Sequence, residues 1–168
     1  MDILWSPWRS EYIEGFKDDS AKKEECFFCG AIEHTAEDTE RLVVHRSKTC
    51  IVVMNKYPYN SGHLLVAPYR HIAEFQQLNS EELVDIMSML QLSEKILNEL
   101  YKPQGFNIGA NLGRAAGAGV PSHLHFHILP RWYGDTNFMA TIGDIKVVSE
   151  SIIKAQAQIA DSFRQHFL

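Results

Sequence analysis

Five segments of the chain have the alternation or the composition of β-strands, at residues 40–47, 49–54, 63–68, 105–113 and 122–131. The first two are rich in Val and Ile and are separated by a charged turn, so together they predict a hairpin. The third follows a turn-rich stretch and ends at Pro68, because proline cannot donate to a strand ladder. The fifth alternates most strictly, which predicts that its odd-numbered residues share one face of a strand.

Two segments have a helical period instead. Asn79 and Glu82 have the spacing of a capping box, and the apolar face that follows runs to Tyr101, before Pro103. The predicted core positions of that helix are Leu83, Ile86, Met87, Leu90, Leu97 and Leu100. A second amphipathic helix is predicted at 149–167. About five mainly antiparallel strands, with a long helix between them and a C-terminal helix after them, predict the α+β class.

Length and composition predict one domain over residues 1–168 with a core that needs no disulfide. Hydrophobic residues at 45% and charged residues at 22% are typical of a globular protein and argue against disorder. The sequence has no apolar run of the ~18 residues that a membrane span needs and no signal-peptide pattern at its start, so a cytoplasmic protein without a membrane partner is expected. A formal charge of −5 argues against a nucleic-acid partner.

Residues 1–25 are predicted to form an N-terminal arm. The arm is dense in aromatic residues, among them Trp5 and Trp8, which is unusual for a disordered tail. It is expected to pack onto the body of the domain or onto a second subunit, or else to place Arg9 beside a ligand pocket.

The fifth strand segment also carries the most distinctive chemistry. His123, His125 and His127 alternate with apolar residues, so all three imidazoles are predicted on one face. A lone histidine is most often a satisfied core residue, but three buried imidazoles without a role leave many polar atoms to satisfy. Because imidazole can serve as a nucleophile, proton carrier or metal ligand near neutral pH, the pattern indicates a functional site.

A cysteine pair forms a second candidate site. Cys26 and Cys29 bring two sulfurs toward one point, and Gly30 is expected to let the backbone turn there. A redox role would fit a pair that opens a helix beside a thioredoxin-like βαβ unit, which the sequence does not predict. The alternatives are a zinc site completed by histidines elsewhere in the chain and two reduced buried thiols, and three cysteines fit a reducing compartment.

A glycine-rich stretch comes immediately before the histidines. Five of the ten glycines fall between residues 105 and 119. Such a loop lets backbone N–H groups approach a phosphate, and Arg114 could add positive charge, although tight packing also needs glycines. The chain has no Gly-Lys-Ser/Thr, so this is not a Walker loop.

The sequence HLHFHILPRW, which starts at His123, resembles the histidine-triad motif of the HIT superfamily of nucleotide hydrolases and transferases. The segments LWSPWR, CFFC, YPYNSGH and RWYGDTNF resemble those of its bacterial diadenosine tetraphosphate phosphorylase branch. The resemblance implies a homodimer, or a higher homo-oligomer, whose sheets lie side by side.

The resemblance also implies the catalytic roles. His125 would attack the α-phosphorus of a nucleoside polyphosphate, and His127 would give a proton to the leaving group. His63 matches the fourth active-site histidine of the family. His123 would either bind zinc or orient His125, and no cofactor would be required for catalysis.

A structural zinc ion is implied in the same way. Its ligands would be Cys26, Cys29, His71 and His123. His45 is a possible rival to His71, and His34 is a weaker one.

The nucleotide would be bound near these histidines. Asn55 lies where relatives hydrogen-bond the ribose, although it could equally cap a turn. The expected phosphate contacts are at Asn111, Gly113, Arg114, Gly117, Gly119, Ser122 and Arg131. The chain departs from the commoner family pattern at Gly119 and Val120, so Ser122 or backbone amides would take over contacts that side chains make elsewhere.

The second acceptor determines which reaction follows. Orthophosphate would give phosphorolysis and needs a second anion site, for which Arg114 and Arg131 are candidates. The opposing interpretation has Arg131 paired with a carboxylate and Arg114 in solvent. Three alternatives stay open: a hydrolase of dinucleotides or phosphoramidates, a zinc-stabilised nucleotide-binding module without turnover, and a DNA-end processing protein, against which the acidic charge argues.

Overall fold

A computed structural model of the chain describes residues 26–135 and 150–168. Its strands are β1 (Val43–Arg46), β2 (Cys50–Met54), β3 (Leu64–Pro68), β4 (Gly105–Ala110) and β5 (Phe126–Arg131). Its helices are α1 (Phe27–Glu33), α2 (Ser80–Tyr101) and α3 (Ile152–His166), and short 3₁₀ turns lie at Thr35–Glu37, Phe75–Gln77 and Arg114–Ala116. The predicted α+β class is confirmed.

The five strands form one sheet in the order β1-β2-β3-β5-β4, and each neighbouring pair is antiparallel. β1 and β2 form the predicted hairpin, with a register irregularity in β1. Val66 of β3 pairs with Val52 of β2 on one side and with Phe126 of β5 on the other. Because β3 and β5 are neighbours, His63, which comes just before β3, lies beside His127 of β5.

Strand side chains alternate between the two faces of the sheet, and an apolar cluster covers each face. Val52 and Val66 belong to the larger apolar cluster, to which α2 and α3 contribute. Ile51 and Ala67 point the other way, into a smaller cluster with Phe28 of α1. Complete burial of a valine or isoleucine side chain contributes about 1.5–3 kcal/mol each, so the two clusters fix the orientation of the central strands.

α2 begins at the predicted capping box and is tied to the hairpin. The side chain of Asn79 accepts from the N–H of Glu82 at 2.9 Å, and Glu82 accepts from the N–H of Asn79 at 3.0 Å. One turn later, the carboxylate of Asp85 accepts from the hydroxyl of Ser47 at 2.6 Å and from the N–H and hydroxyl of Thr49 at 2.6 and 2.8 Å. These bonds hold the turn of the hairpin against the helix.

The buried face of α2 differs from the predicted one at two positions. Leu83 and Met87 were expected in the core, yet they are 37% and 48% exposed. Met89 and Ile96 are buried in their place. The buried face is centred near Ser93, and at about 100° per residue Met87 lies roughly 120° around the helix from it.

Some element boundaries also differ from the prediction. The hairpin strands are shorter than predicted, and β4 ends at Ala110 rather than at residue 113. β5 begins at Phe126 rather than at residue 122, so His123 and His125 precede the strand. The C-terminal helix lies within the predicted range.

The N-terminal arm at 1–25 and the end of the RWYGDTNF segment, beyond residue 135, lie outside the described residues. Over 26–135 and 150–168, no helix has both the length and the apolar character that crossing a membrane requires.

Candidate active site

The histidine segment keeps its alternation although only its last part is a strand. Leu124, Phe126 and Ile128 belong to the larger apolar cluster. The intervening histidines point to the opposite face of the sheet, and the ring centroids of His125 and His127 are 5.0 Å apart. The structure therefore brings the predicted histidines together on one face.

His123 and His125 are held by contacts other than the sheet ladder. The N–H of Leu124 donates to the carbonyl of Ile72 at 2.7 Å. The His123 ring donates from Nε2 to the carbonyl of Pro68 at 2.9 Å, which leaves its Nδ1 with a lone pair. Burial lowers the pKa of His123 to about 4, so the ring is neutral at neutral pH.

A backbone carbonyl fixes the tautomer of His125. Its Nδ1 lies 2.8 Å from the carbonyl oxygen of His123. A carbonyl can only accept, so Nδ1 carries the proton and Nε2 keeps its lone pair. Burial lowers the pKa of His125, and Phe28 packs against the ring with centroids 5.0 Å apart. The result is a neutral imidazole with an unprotonated Nε2, which is the nucleophilic form.

His63 and His127 form a hydrogen-bonded pair. Nε2 of His63 lies 3.0 Å from Nδ1 of His127. The N–H of Tyr59 donates to Nδ1 of His63 at 3.2 Å, so His63 carries its proton on Nε2 and donates it to His127. A neutral His127 then has its own proton on Nε2. Burial, together with the neighbouring His127 and His125, lowers the pKa of His63 to about 3.

A glycine lets the turn before β3 place His63 in this pair. Gly62 has a φ of +73°, in the region where a side chain is strained. A methyl group added there would lie 3.0 Å from Cδ2 of Leu97 and 3.3 Å from Pro130 and from Tyr101. The turn can therefore approach α2 and β5 closely, and His63 is completely buried.

The four predicted metal ligands meet at one end of this site. The ligand atoms of Cys26, Cys29, His71 and His123 all lie within 4.8 Å of one another. Sγ of Cys29 is 3.1 Å from Nδ1 of His71, and Nδ1 of His123 is 3.4 Å from Sγ of Cys26 and 3.7 Å from Sγ of Cys29. Tetrahedral bonds of about 2.0–2.3 Å separate neighbouring ligand atoms by roughly 3.3–3.8 Å. These residues could therefore bind a metal ion.

The two rival histidines lie elsewhere. The ring of His45 stacks on Phe163 and Phe167 at centroid distances of 5.0 and 4.9 Å. His34 follows the last residue of α1 and is exposed. Among the described residues, the cluster that could bind a metal contains His71 rather than either rival.

The cysteine pair lies at the start of a helix, not in the expected turn. α1 begins at Phe27, so the prediction that the backbone turns at Gly30 is wrong. Cys26 is the residue at the N-cap position, without a side-chain capping bond, and Cys29 lies in the first turn, so both sulfurs are at the same end. The histidines at that end distinguish the pair from a dithiol without other ligands.

The glycine-rich loop leads into the histidine segment. Gly113 and Gly117 have φ values of +76° and +85°, which other residues rarely adopt. Nδ2 of Asn111 donates to the carbonyl of Gly117 at 3.4 Å. The side chains of Arg114 and Ser122 are exposed. The shape of the loop thus depends on its glycines, and both exposed side chains are accessible to a ligand.

Arg131 is paired with a carboxylate, as in the opposing interpretation. Its guanidinium donates to both oxygens of Asp135 at 2.6 and 2.9 Å and to Oδ1 of Asn107 at 2.7 Å. Nδ2 of Asn60 donates to the same carboxylate at 2.7 Å. A ligand would have to open this pair to reach Arg131.

Two aromatic residues of the site were not predicted. Phe28 packs on the rings of His123 and His125 at 5.1 and 5.0 Å, and the ring of Tyr59 lies 4.8 Å from that of His63. Phe28 lies in the CFFC segment and Tyr59 in the YPYNSGH segment. The residue type alone does not single them out, because an aromatic beside a motif is more often part of the core.

Comparisons with known proteins agree with this geometry. A family model described as the HIT domain matches residues 36–133. An AP-4-A phosphorylase of Mycobacterium tuberculosis is 38% identical over 155 residues, which cover 89% of this chain and 78% of the relative. An asymmetrical bis(5'-nucleosyl)-tetraphosphatase of Schizosaccharomyces pombe is 32% identical over 55% of this chain and 50% of that protein. The fold matches a zinc-bound histidine triad family protein of Mycobacterium smegmatis with a TM-score of 0.67 and 21% identity, over 85% of this chain and 96% of that one.

Proposed function

The chain belongs to the HIT domain family, and from that premise we propose that it transfers a nucleotidyl group through a covalent bond to His125. The observation that carries this proposal is the 2.8 Å hydrogen bond from Nδ1 of His125 to the carbonyl of His123. That bond uses the one nitrogen-bound proton of the neutral ring, so Nε2 has a lone pair with which to attack phosphorus.

In the first step, Nε2 of His125 forms a bond to the α-phosphorus of the substrate, and the bond from that phosphorus to its bridging oxygen breaks. His127 gives its Nε2 proton to the departing oxygen. The hydrogen bond of 3.0 Å from His63 to Nδ1 of His127 orients the His127 ring and leaves the proton of that ring on Nε2. In the second step an oxygen of the acceptor attacks the same phosphorus, the proton of the acceptor passes to Nε2 of His127, and the P–N bond breaks. His125 returns as a neutral imidazole and His127 regains the proton that it gave to the leaving group.

We assign the binding of the nucleotide to groups of the glycine-rich loop and of the strand ends. Backbone N–H groups of the glycine-rich loop are suited to phosphate oxygens, because donors held in a nest concentrate positive potential. Asn55 is assigned to the ribose. The phosphate contacts are assigned to Asn111, Gly113, Arg114, Gly117, Gly119 and Ser122, with Arg131 available only when its pair with Asp135 opens.

We propose a dinucleoside polyphosphate such as diadenosine tetraphosphate as the substrate and orthophosphate as the acceptor. Similarity to the phosphorylase of M. tuberculosis over 89% of this chain supports both assignments. Arg114 is exposed in the glycine-rich loop, which supports a binding site for a second anion there.

The acceptor can be tested directly by product analysis. With diadenosine tetraphosphate, we expect ATP and ADP in proportion to added phosphate, and we expect arsenate to divert the second product to AMP, because a nucleotidyl arsenate hydrolyses. Chromatographic separation of the products, with and without phosphate, is the measurement. Efficient formation of ATP and AMP in phosphate-free buffer would contradict phosphorolysis and leave the histidine roles intact.

Hydrolysis is the second candidate, and one observation favours it. Arg131, which could hold a second anion, is bound to Asp135 at 2.6 and 2.9 Å. Similarity to the tetraphosphatase of S. pombe over 55% of this chain also supports water as the acceptor.

Zinc is the metal that we propose for the cluster of Cys26, Cys29, His71 and His123. Two thiolates and two imidazoles in tetrahedral separation are its preferred donor set, and the ion would stabilise the fold there. The metal site is separate from the reacting atom, since Nε2 of His125 is not among its ligand atoms. The proposed catalysis therefore uses imidazoles and backbone donors.

A homodimer is also proposed, because β4 is an edge strand with an exposed side. Ile108, in its middle, is 53% exposed, and an apolar edge of this kind is suited to pairing with another chain. We expect light scattering after gel filtration to give twice the mass of the chain. Ile108→Lys should shift that mass toward the monomer, and a monomeric wild type would contradict the proposal.

A further inference from the structure

The side-chain amide of Asn55, at the end of β2, has a defined orientation. Its Oδ1 lies 2.9 Å from the backbone nitrogen of Tyr57, which can only donate. The other end of the amide must therefore be the NH₂ group, and it lies 3.2 Å from Nδ1 of His63. The turn thus determines which end of Asn55 faces the histidine.

Nδ1 of His63 receives a second donor from the same turn. The N–H of Tyr59 lies 3.2 Å from it, so two donors converge on one nitrogen. A proton on that nitrogen would face both donors, whereas a lone pair satisfies them. His63 therefore carries its proton on Nε2, which faces Nδ1 of His127 at 3.0 Å.

We propose that Asn55 is a positioning residue that, together with the N–H of Tyr59, fixes the tautomer of His63 and, through it, keeps the proton of His127 on Nε2, where a leaving group can take it. The tautomer assignment stands on the hydrogen bonds alone, while the use of the proton rests on the proposed nucleotidyl transfer. The role is additional to a ribose contact, because an amide has a second hydrogen and a second lone pair that the bonds to His63 and Tyr57 do not use.

Asn55→Asp tests this with almost no change in shape. A carboxylate still accepts from Tyr57, but it presents an acceptor to His63 and draws the proton onto Nδ1. Long-range proton–nitrogen NMR on ¹⁵N-histidine-labelled, metal-loaded protein reports which ring nitrogen is protonated. We expect an unprotonated His63 Nδ1 in the wild type and a protonated one in the variant.

Asn60→Ala is the matched control. Asn60 lies in the same turn, but its amide donates to the carbonyl of Pro130 and to Asp135 rather than to a histidine. It should therefore keep the wild-type nitrogen shifts of His63. Wild-type shifts in Asn55→Asp would overturn the proposal.

Kinetics separates positioning from ribose binding. With diadenosine tetraphosphate, Asn55→Asp should lower kcat by at least about tenfold and leave KM within about threefold, since general acid catalysis contributes about 10²–10⁴-fold. A rise in KM at unchanged kcat would restrict Asn55 to the ribose and overturn the proposal. If the wild type turns over no dinucleotide, the proposed function fails, and the NMR comparison still decides the tautomer.

Discussion

Replacing His125 by alanine is expected to lower kcat for diadenosine tetraphosphate by at least about 10³-fold, because the variant has no atom that can form the P–N bond. The fold should survive, since the ring of His125 lies outside the sheet ladder and its loss removes one hydrogen bond, to the carbonyl of His123. Nucleotide binding should also survive, because the loop donors are unchanged. Turnover measured beside nucleotide affinity checks both expectations.

The covalent intermediate gives this prediction a second measurement. Mixing the wild type with radiolabelled substrate and quenching in base should trap label on the protein, and acid should release it, as expected for a phosphoramidate. His125→Ala should trap none. His45→Ala is a suitable control, because His45 stacks on Phe163 and Phe167 away from the site. Turnover by His125→Ala near the wild-type rate would show that another group is the nucleophile.

Much of the site could be predicted because strand alternation is a local property. The spacing of His123, His125 and His127 predicts that they share a face, and the structure has them so. It does not predict where the strand begins, because the ladder of β3 pairs with β5 only from Phe126 onward. The residues before it are held by the carbonyls of Pro68 and Ile72, and such long-range partners leave no local signal.

The sequence does not predict which ring nitrogen of His63 is protonated, for a similar reason. The protonated nitrogen of His63 depends on which donors the turn aims at it, and these are known only once the turn is folded. For Arg131 the sequence leaves two interpretations open, a phosphate contact and a pair with a carboxylate. In the structure Asp135, four residues later, is paired with it, since the chain turns back after β5.

The set of buried residues on α2 was predicted less accurately. Apolar residues such as Leu83 and Met87 have nearly helical spacing, so periodicity alone places them in the core. The actual buried face follows what α2 packs against, which is the central sheet and α3. Asn79 and Glu82 were easier, because a capping box is local and depends on no other element.

Changing Cys26 to serine is expected to remove the metal and to lower the melting temperature substantially. A ligand present at about 1,000 times its Kd stabilises the native state by about 4 kcal/mol. For a chain of this length 1 kcal/mol corresponds to about 2–4 °C, so the melting temperature should fall by roughly 8–16 °C. Metal analysis after dialysis, beside thermal unfolding, checks the prediction, with about one zinc ion per wild-type chain expected.

The proposed metal site is also connected to the nucleophile, through His123. His123 offers Nδ1 to the cluster, and its carbonyl holds the ring of His125 at 2.8 Å. If zinc only holds the positions of these residues, cobalt can replace it without changing the reaction. Cobalt-substituted protein should then keep turnover within about threefold and show thiolate-to-metal absorption. Cys50→Ala is the control, because Cys50 is buried but is not one of the four metal ligands. This variant should lose some stability and keep the metal. If metal-free protein melts at the wild-type temperature, the four residues do not form a structural metal site.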